Sequence, residues 1–164
     1  MNATEFAKSE IRQSLDFLDL CVNGMTDEQY NWKPPGTCHP ASKLHAHILY
    51  YLDFSINLVL GANASSWGEF AKEEGLGENV AEIWSADSAI ALSPMQEYAR
   101  GLKESVDVYC GSVSEADLDT EVDTRFLGTR SVAWMLWFIN YHTLIHTGEI
   151  AAVKGMQGLK GLPI

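Results

Sequence analysis

The residues best suited to chemistry in this chain are its histidines. His142 and His146 are four apart in a segment, Val132 to Gly148, that contains no Asp, Glu, Lys or Arg. On a helix such a pair stands one turn apart on one face. Met135, Ile139, His142, His146, Glu149 and Val153 fall on that line, so three polar side chains interrupt an apolar stripe. A buried polar group without a partner costs about 2–7 kcal/mol, and each of the three therefore needs one. A hydrogen-bond network fixing the core would serve. So would a metal ion, for which imidazole is the commonest side-chain ligand. The zinc-protease pattern HExxH is absent, because Thr143 stands where its glutamate is required.

A third ligand would come from a facing helix. His45 and His47 both offer one, about 200° apart around a helix axis. Periodicity does not choose between them, because both faces are apolar. His39 lies in a proline-rich linker and receives no role. Three histidines without a fourth protein ligand would leave an open coordination position, the mark of a catalytic rather than a structural site. Glu149, three residues after His146, suits a hydrogen-bond acceptor that orients a ligating imidazole, or a proton shuttle.

Four helices are predicted to position these groups. In the first, about Thr4 to Val22, Ile11, Leu15, Leu18, Val22 and Met25 share a face and Gly24 is the stop. Thr26 with Gln29 caps a short turn before a linker holding Pro34, Pro35, Gly36 and Pro40. The second helix starts at Pro40 to Ser42 and reaches about Leu60, with stripes Leu44, His47, Tyr51, Phe54, Leu58 and His45, Ile48, Leu52, Val59. The third starts with Ser93 as cap, Pro94 in its first turn and Gln96 completing the box. The fourth runs from about Ser131 to Val153, with Lys154 suited to its dipole and Gly155 to its cap. Glu115 to Asp123 reads as a solvated acidic loop, and Arg125 to Arg130 as an extended turn around Gly128. No strand-like alternation is sustained anywhere.

Gly61 to Leu92 is long for a loop in a compact domain. It holds short helical patterns at Trp67 to Glu74 and Asn79 to Trp84, and Trp67 and Trp84 suit either a cavity cover or core anchors. A connection of this length lets the next helix run parallel to the one before it. The prediction is an all-α fold, a single domain over residues 1–164, built as a four-helix bundle with a long crossover between its second and third helices.

Composition narrows function. The net charge is −11, from 22 acidic and 11 basic residues, which argues against nucleic-acid binding and against docking on an anionic membrane. The apolar Val132 to Gly148 stretch is too short to span a bilayer. Cys21, Cys38 and Cys110 are odd in number and widely spaced, which suits a reducing cytoplasm. No signal peptide is expected from Met1 to Glu10, which carries acids and no apolar run. A second apolar stripe on the fourth helix, Trp134, Phe138, Tyr141 and Ile145, suits a homodimer interface or a side covered by the crossover.

The segment His142-Thr-Leu-Ile-His146-Thr-Gly148-Glu149-Ile150 resembles the HxxxHxGQI or HxxxHxGEI segment of the DinB-like superfamily. Lys43 to Asp53 resembles that family's helix-two segment, Trp32-Lys33-Pro34 its W-x-P, and Gly158 to Pro163 its tail. The resemblance implies a four-helix bundle whose metal is held by one histidine of helix two and two of helix four. Carried onto this chain, these are His47, His142 and His146; His45 beside His47 is the departure. Relatives of that kind include S-transferases and isomerases that use a low-molecular-weight thiol such as bacillithiol or mycothiol. The implied function is a metal-dependent thiol S-transferase or hydrolase acting on a small molecule, with zinc or nickel, or else iron. The alternative is a non-catalytic metal-binding module or a dimeric interaction or stress-response module.

Overall fold

The computed structural model describes residues 2–162, so Met1, Pro163 and Ile164, at the ends of the predicted domain and tail segment, lie outside the described residues. Four long helices build the molecule: α1 (Ala3–Val22), α3 (Ala41–Asp53), α6 (Leu92–Ser112) and α7 (Val132–Met156). Shorter helices are α2 (Asp27–Tyr30), α4 (Trp67–Glu73) and α5 (Val80–Ser85). Around the core the order is α1, α7, α3, α6, each packing on its two neighbours.

Side-chain pairs fix the directions. Arg12 pairs with Asp107 and Lys103 with Asp16, so α1 and α6 run antiparallel. His47 meets His142 and Tyr51 meets Phe138, so α3 and α7 are antiparallel. Lys43, at the start of α3, reaches the backbone just ahead of α6. The helices α3 and α6 are therefore parallel, as the long crossover between them requires. The predicted face of α1 is the buried one: Ile11, Leu15, Leu18, Val22 and Met25 all lie in the core. Thr26 and Gln29 form the expected reciprocal cap on α2, and Gly24 supplies the positive φ of 77° that ends the first helix region.

Four expectations need correction. The second helix does not continue regularly to Leu60. It becomes a π turn at Phe54–Val59, where Leu60 N–H donates to Ser55 O at 3.0 Å. Leu58 is rotated out and exposed as a result. The third helix is not capped by Ser93. It begins at Leu92, whose N–H donates to Asp27 Oδ1 at 3.0 Å, so a carboxylate of α2 replaces the local cap. Lys154 stands in the last turn of the fourth helix, where it is buried and donates to the Cys21 carbonyl at the end of α1, but Gly155 is not the cap. The fourth helix thus runs past Gly155, and Gly158 takes the positive φ. Finally, the acidic segment includes a two-stranded antiparallel hairpin, β1 (Glu121–Asp123) with β2 (Thr129–Ser131), in register Glu121 to Ser131. Three residues per strand are too few for a sequence alternation to register.

Within the crossover, the backbone passes close to Gly77. A Cβ on Gly77 would lie 2.3 Å from Ile83 N and 2.4 Å from Glu82 C. Its carbonyl also accepts from Trp67 Nε1 at 3.1 Å. Gly77→Ala is expected to destabilise the chain by about 1–3 kcal/mol, because the obstacle is backbone. Urea unfolding measures this, and a change within about 0.5 kcal/mol would mean that α5 is free to shift. Among the described residues no helix is long and apolar enough to cross a membrane.

Candidate metal centre

The site forms where α3 faces α7. The i, i+4 spacing of α7 stacks Phe138, His142 and His146 along one side, and α3 presents His47 and Tyr51 one turn apart opposite them. His47 Nε2 and His142 Nε2 stand 3.2 Å apart. One nitrogen from each of His47, His142 and His146 lies within 4.8 Å of the other two. His47 is buried, and the other two are partly open.

His45 is not part of this cluster. It is fully buried on the opposite side of α3, with Nδ1 2.8 Å from the Tyr30 hydroxyl, so it ties α2 to the bundle. Glu149 Oε2 lies 2.6 Å from His146 Nδ1. The carboxylate accepts, so the hydrogen of this contact sits on Nδ1.

Burial keeps His47 and His142 neutral. It is the largest cause that lowers His142 to about 3, with further lowering by His146 and His47. His47 is lowered to about 4, by burial first and then by His146 and His39. At pH 7 these two imidazoles therefore offer lone pairs without competition from protons. The 3.2 Å separation is also close to the ~3.3 Å edge expected between two nitrogens each ~2.0 Å from a tetrahedral ion. On geometry and donor chemistry the three histidines fit a divalent metal.

Trp84 and Tyr51 enclose the cluster. Trp84, at the end of α5, stacks on His39 with centroids 4.1 Å apart and lies 4.6 Å from the His47 ring. Lys43 anchors this cover by donating to the Trp84 carbonyl at 2.8 Å and to that of Ala86. Tyr51 closes the other side, 4.9 Å from His47 and 4.8 Å from His142. The cavity-cover role weighed for the two tryptophans falls to Trp84, whereas Trp67 is a core residue. No sequence signal marks His39, because its contact is made with a residue 45 positions away.

Depressed histidines make stability depend on pH. His45 is lowered from 6.5 to about 3 by burial. The unfolded chain therefore binds more protons than the folded one between about pH 3 and 6.5. Stability is complete above pH 6.5 and falls as the pH drops through that window. His45 alone is expected to remove about 2 kcal/mol at pH 5 relative to pH 7, with His47 and His142 adding to it. Urea unfolding of chelator-treated protein at several pH values measures this; stability that stays flat down to pH 5 would contradict it.

Comparison with known proteins agrees with the architecture. A crystal structure of a conserved protein from Enterococcus faecalis superposes with a TM-score of 0.75 at 14% identity, covering 94% of this chain and 96% of that one. A DinB-like protein from Bacillus subtilis gives 0.61 at 18% identity, covering 100% and 97%. At such identities the likeness concerns the fold. No curated protein matches the sequence significantly. The sequence profile of the DinB superfamily matches residues 10–150, the stretch that contains all three clustered histidines. This chain belongs to the DinB superfamily.

Proposed function

We propose that His47, His142 and His146 hold one divalent metal ion, zinc or nickel before iron, and that the protein is a metal-dependent enzyme transferring a low-molecular-weight thiol to a small electrophile. The observation that carries the reading is the convergence of three imidazole nitrogens within 4.8 Å, with no fourth His, Cys, Asp or Glu in the group among the described residues. An ion held by His47, His142 and His146 would supply Lewis acidity and would lower the pKa of a thiol at the site.

The chain's own residues supply the rest. Glu149 fixes the tautomer of His146 and holds the proton at Nδ1. Trp84 and Tyr51 exclude water from either side of His47. Phe138 and Phe126, with centroids 5.6 Å apart, extend the cluster as an apolar wall against which an electrophile can lie. In transfer, a sulfur–carbon bond forms as the bond from carbon to its leaving group breaks, and the leaving group departs with the electron pair. The test is turnover of thiol and alkyl-halide pairs by metal-reconstituted protein, with and without chelator. Activity that a chelator abolishes supports the reading, and activity that survives complete metal removal overturns it.

A homodimer is part of the same proposal. Trp134 and Phe138 of the apolar stripe are half-buried and stacked on each other. The outward face of α7 instead exposes Trp137 (50%), Tyr141 (47%), Leu144 and Ile145. A long uncharged face on a chain of net charge −11 is where a second copy would meet least repulsion. Trp137→Glu is expected to convert a dimer into a monomer in sedimentation equilibrium at micromolar concentration; a wild-type monomer there removes the dimer. Three free cysteines suit a reducing cytoplasm as the place of action.

A further inference from the structure

A cleft of about 530 Å³ lies between the linker ahead of α3, the first turn of α3 and the segment that follows α5. That volume is in the range of small-molecule sites. The helix begins Pro40-Ala41-Ser42-Lys43. Proline at the cap position carries no acceptor, and no side chain caps this helix. Its first internal bond runs from Leu44 N–H to Pro40 O at 3.1 Å. The N–H groups of Ser42 and Lys43 precede that bond and have no acceptor among the described residues. The first turn holds no acid either. Orphan N–H groups at the positive end of a helix favour an anion, and Ser42 and Lys43 both line the cleft.

The second observation concerns a side chain. Ser42 is only 2% exposed, and its hydroxyl makes no hydrogen bond among the described residues. That hydroxyl is not one of the unpartnered polar atoms sealed from solvent. The little surface Ser42 keeps therefore includes the hydroxyl, on a residue that lines the cleft. Polar groups so deeply placed are rarely left without a partner.

The charges lining the cleft agree with the helix end. Lys33 and Lys43 both line it, and neither forms an ion pair among the described residues. Lys43 Nζ donates to the carbonyls of Trp84 and Ala86, which fixes its charge in the wall without neutralising it. Asp87 is the one acid lining the cleft, and it is exposed. On a chain of net charge −11, two unpaired lysines beside a helix start make a local positive field.

We propose that this cleft binds the carboxylate or phosphate end of an anionic small molecule. The oxyanion accepts from the Ser42 hydroxyl and from the N–H groups of Ser42 and Lys43, with Lys33 completing the charge and Trp84 beside the body of the molecule. The site is separate from the three clustered histidines and needs no metal.

The test is isothermal titration of the full chain with inorganic phosphate and with succinate, using the diamide of succinate as the uncharged control. It is run on protein as purified and repeated after chelator treatment, which separates this site from any metal at the histidines. The expected result is saturable one-site binding of at least one anion in both preparations, and none of the diamide. Tighter binding of phosphate assigns a phosphoryl ligand, and tighter binding of succinate a carboxylate. Ser42→Ala should weaken binding about tenfold, the effect of losing a hydrogen bond to a charged group. Lys33→Met should weaken it as well, and Asp87→Asn should tighten it. The backbone amides of Ser42 and Lys43 should shift on titration in a ¹H–¹⁵N spectrum. No saturable binding of either anion, binding that disappears on chelation, binding of the diamide, unchanged affinity in Ser42→Ala or Lys33→Met, or shifts scattered over other lysines would overturn the proposal. Lys33 is exposed, so its variant keeps the test decisive if Ser42→Ala does not fold.

Discussion

His142→Ala is expected to empty the metal centre. Protein purified without a metal-affinity tag should carry about one divalent ion per chain, measured by elemental mass spectrometry, or gain it on reconstitution. Removing one of three imidazoles lowers affinity by a hundredfold or more, on the order of a full ligand bond rather than a supporting one. His47→Ala and His146→Ala should behave alike, because each removes one corner of a group whose nitrogens lie within 4.8 Å. Glu149→Gln should weaken binding by only about tenfold to a hundredfold, since it alters the 2.6 Å contact that orients His146 and leaves the three rings in place.

His45→Ala provides the contrast. Its ring is buried against Tyr30, so the variant should lose stability and keep its metal stoichiometry. Full occupancy in His142→Ala, or no binding by the wild type after reconstitution with zinc, nickel or iron, would reduce the cluster to a polar core network. That network would be the 3.2 Å contact between His47 and His142, and the enzyme reading would lose its chemistry.

The contrast between His45 and His47 marks where the sequence stops being informative. Helical periodicity places His142, His146 and Glu149 on one face, because they belong to one element and the spacing is local. It cannot choose between two apolar faces of α3, since that depends on which neighbour each face meets. The family resemblance pointed to His47, and the bundle order sets His47 against α7 and His45 against Tyr30. Long apolar stripes and the reciprocal cap at Thr26 were legible for the same local reason. Ser93 looked like a cap and was not one, because Asp27 reaches Leu92 from 65 residues away. Trp84, His39 and Lys43 enclose the cluster through contacts between the crossover and α3, and no spacing rule encodes those.

Asp53 is the residue whose importance is least apparent from the sequence, and Asp53→Ala is expected to destabilise the chain by about 3–5 kcal/mol. The carboxylate is fully buried. It accepts from Asn57 Nδ2 at 2.6 Å, from Ser65 Oγ at 2.6 Å and from Trp67 N–H at 2.9 Å. Trp67 opens α4, and the local cap position, Ser66, makes no side-chain cap bond. Asp53 therefore caps α4 from the end of α3 while also bracing the π turn. Truncation leaves three donors without their acceptor, each unsatisfied group costing about 1–3 kcal/mol where water cannot replace it. Asp53→Asn keeps the shape but turns an amide N–H toward one set of donors, so it should recover only part of the loss. Urea unfolding gives the magnitude, and the fluorescence of Trp67, read in a variant whose other tryptophans are replaced by phenylalanine, should report a more exposed indole below the midpoint. The histidines lie on the α7 side of α3, so metal stoichiometry should persist in Asp53→Ala at temperatures where it is folded. A loss below about 1 kcal/mol would show that water enters and satisfies the three donors, and that the crossover is held by Trp67 packing rather than by this carboxylate.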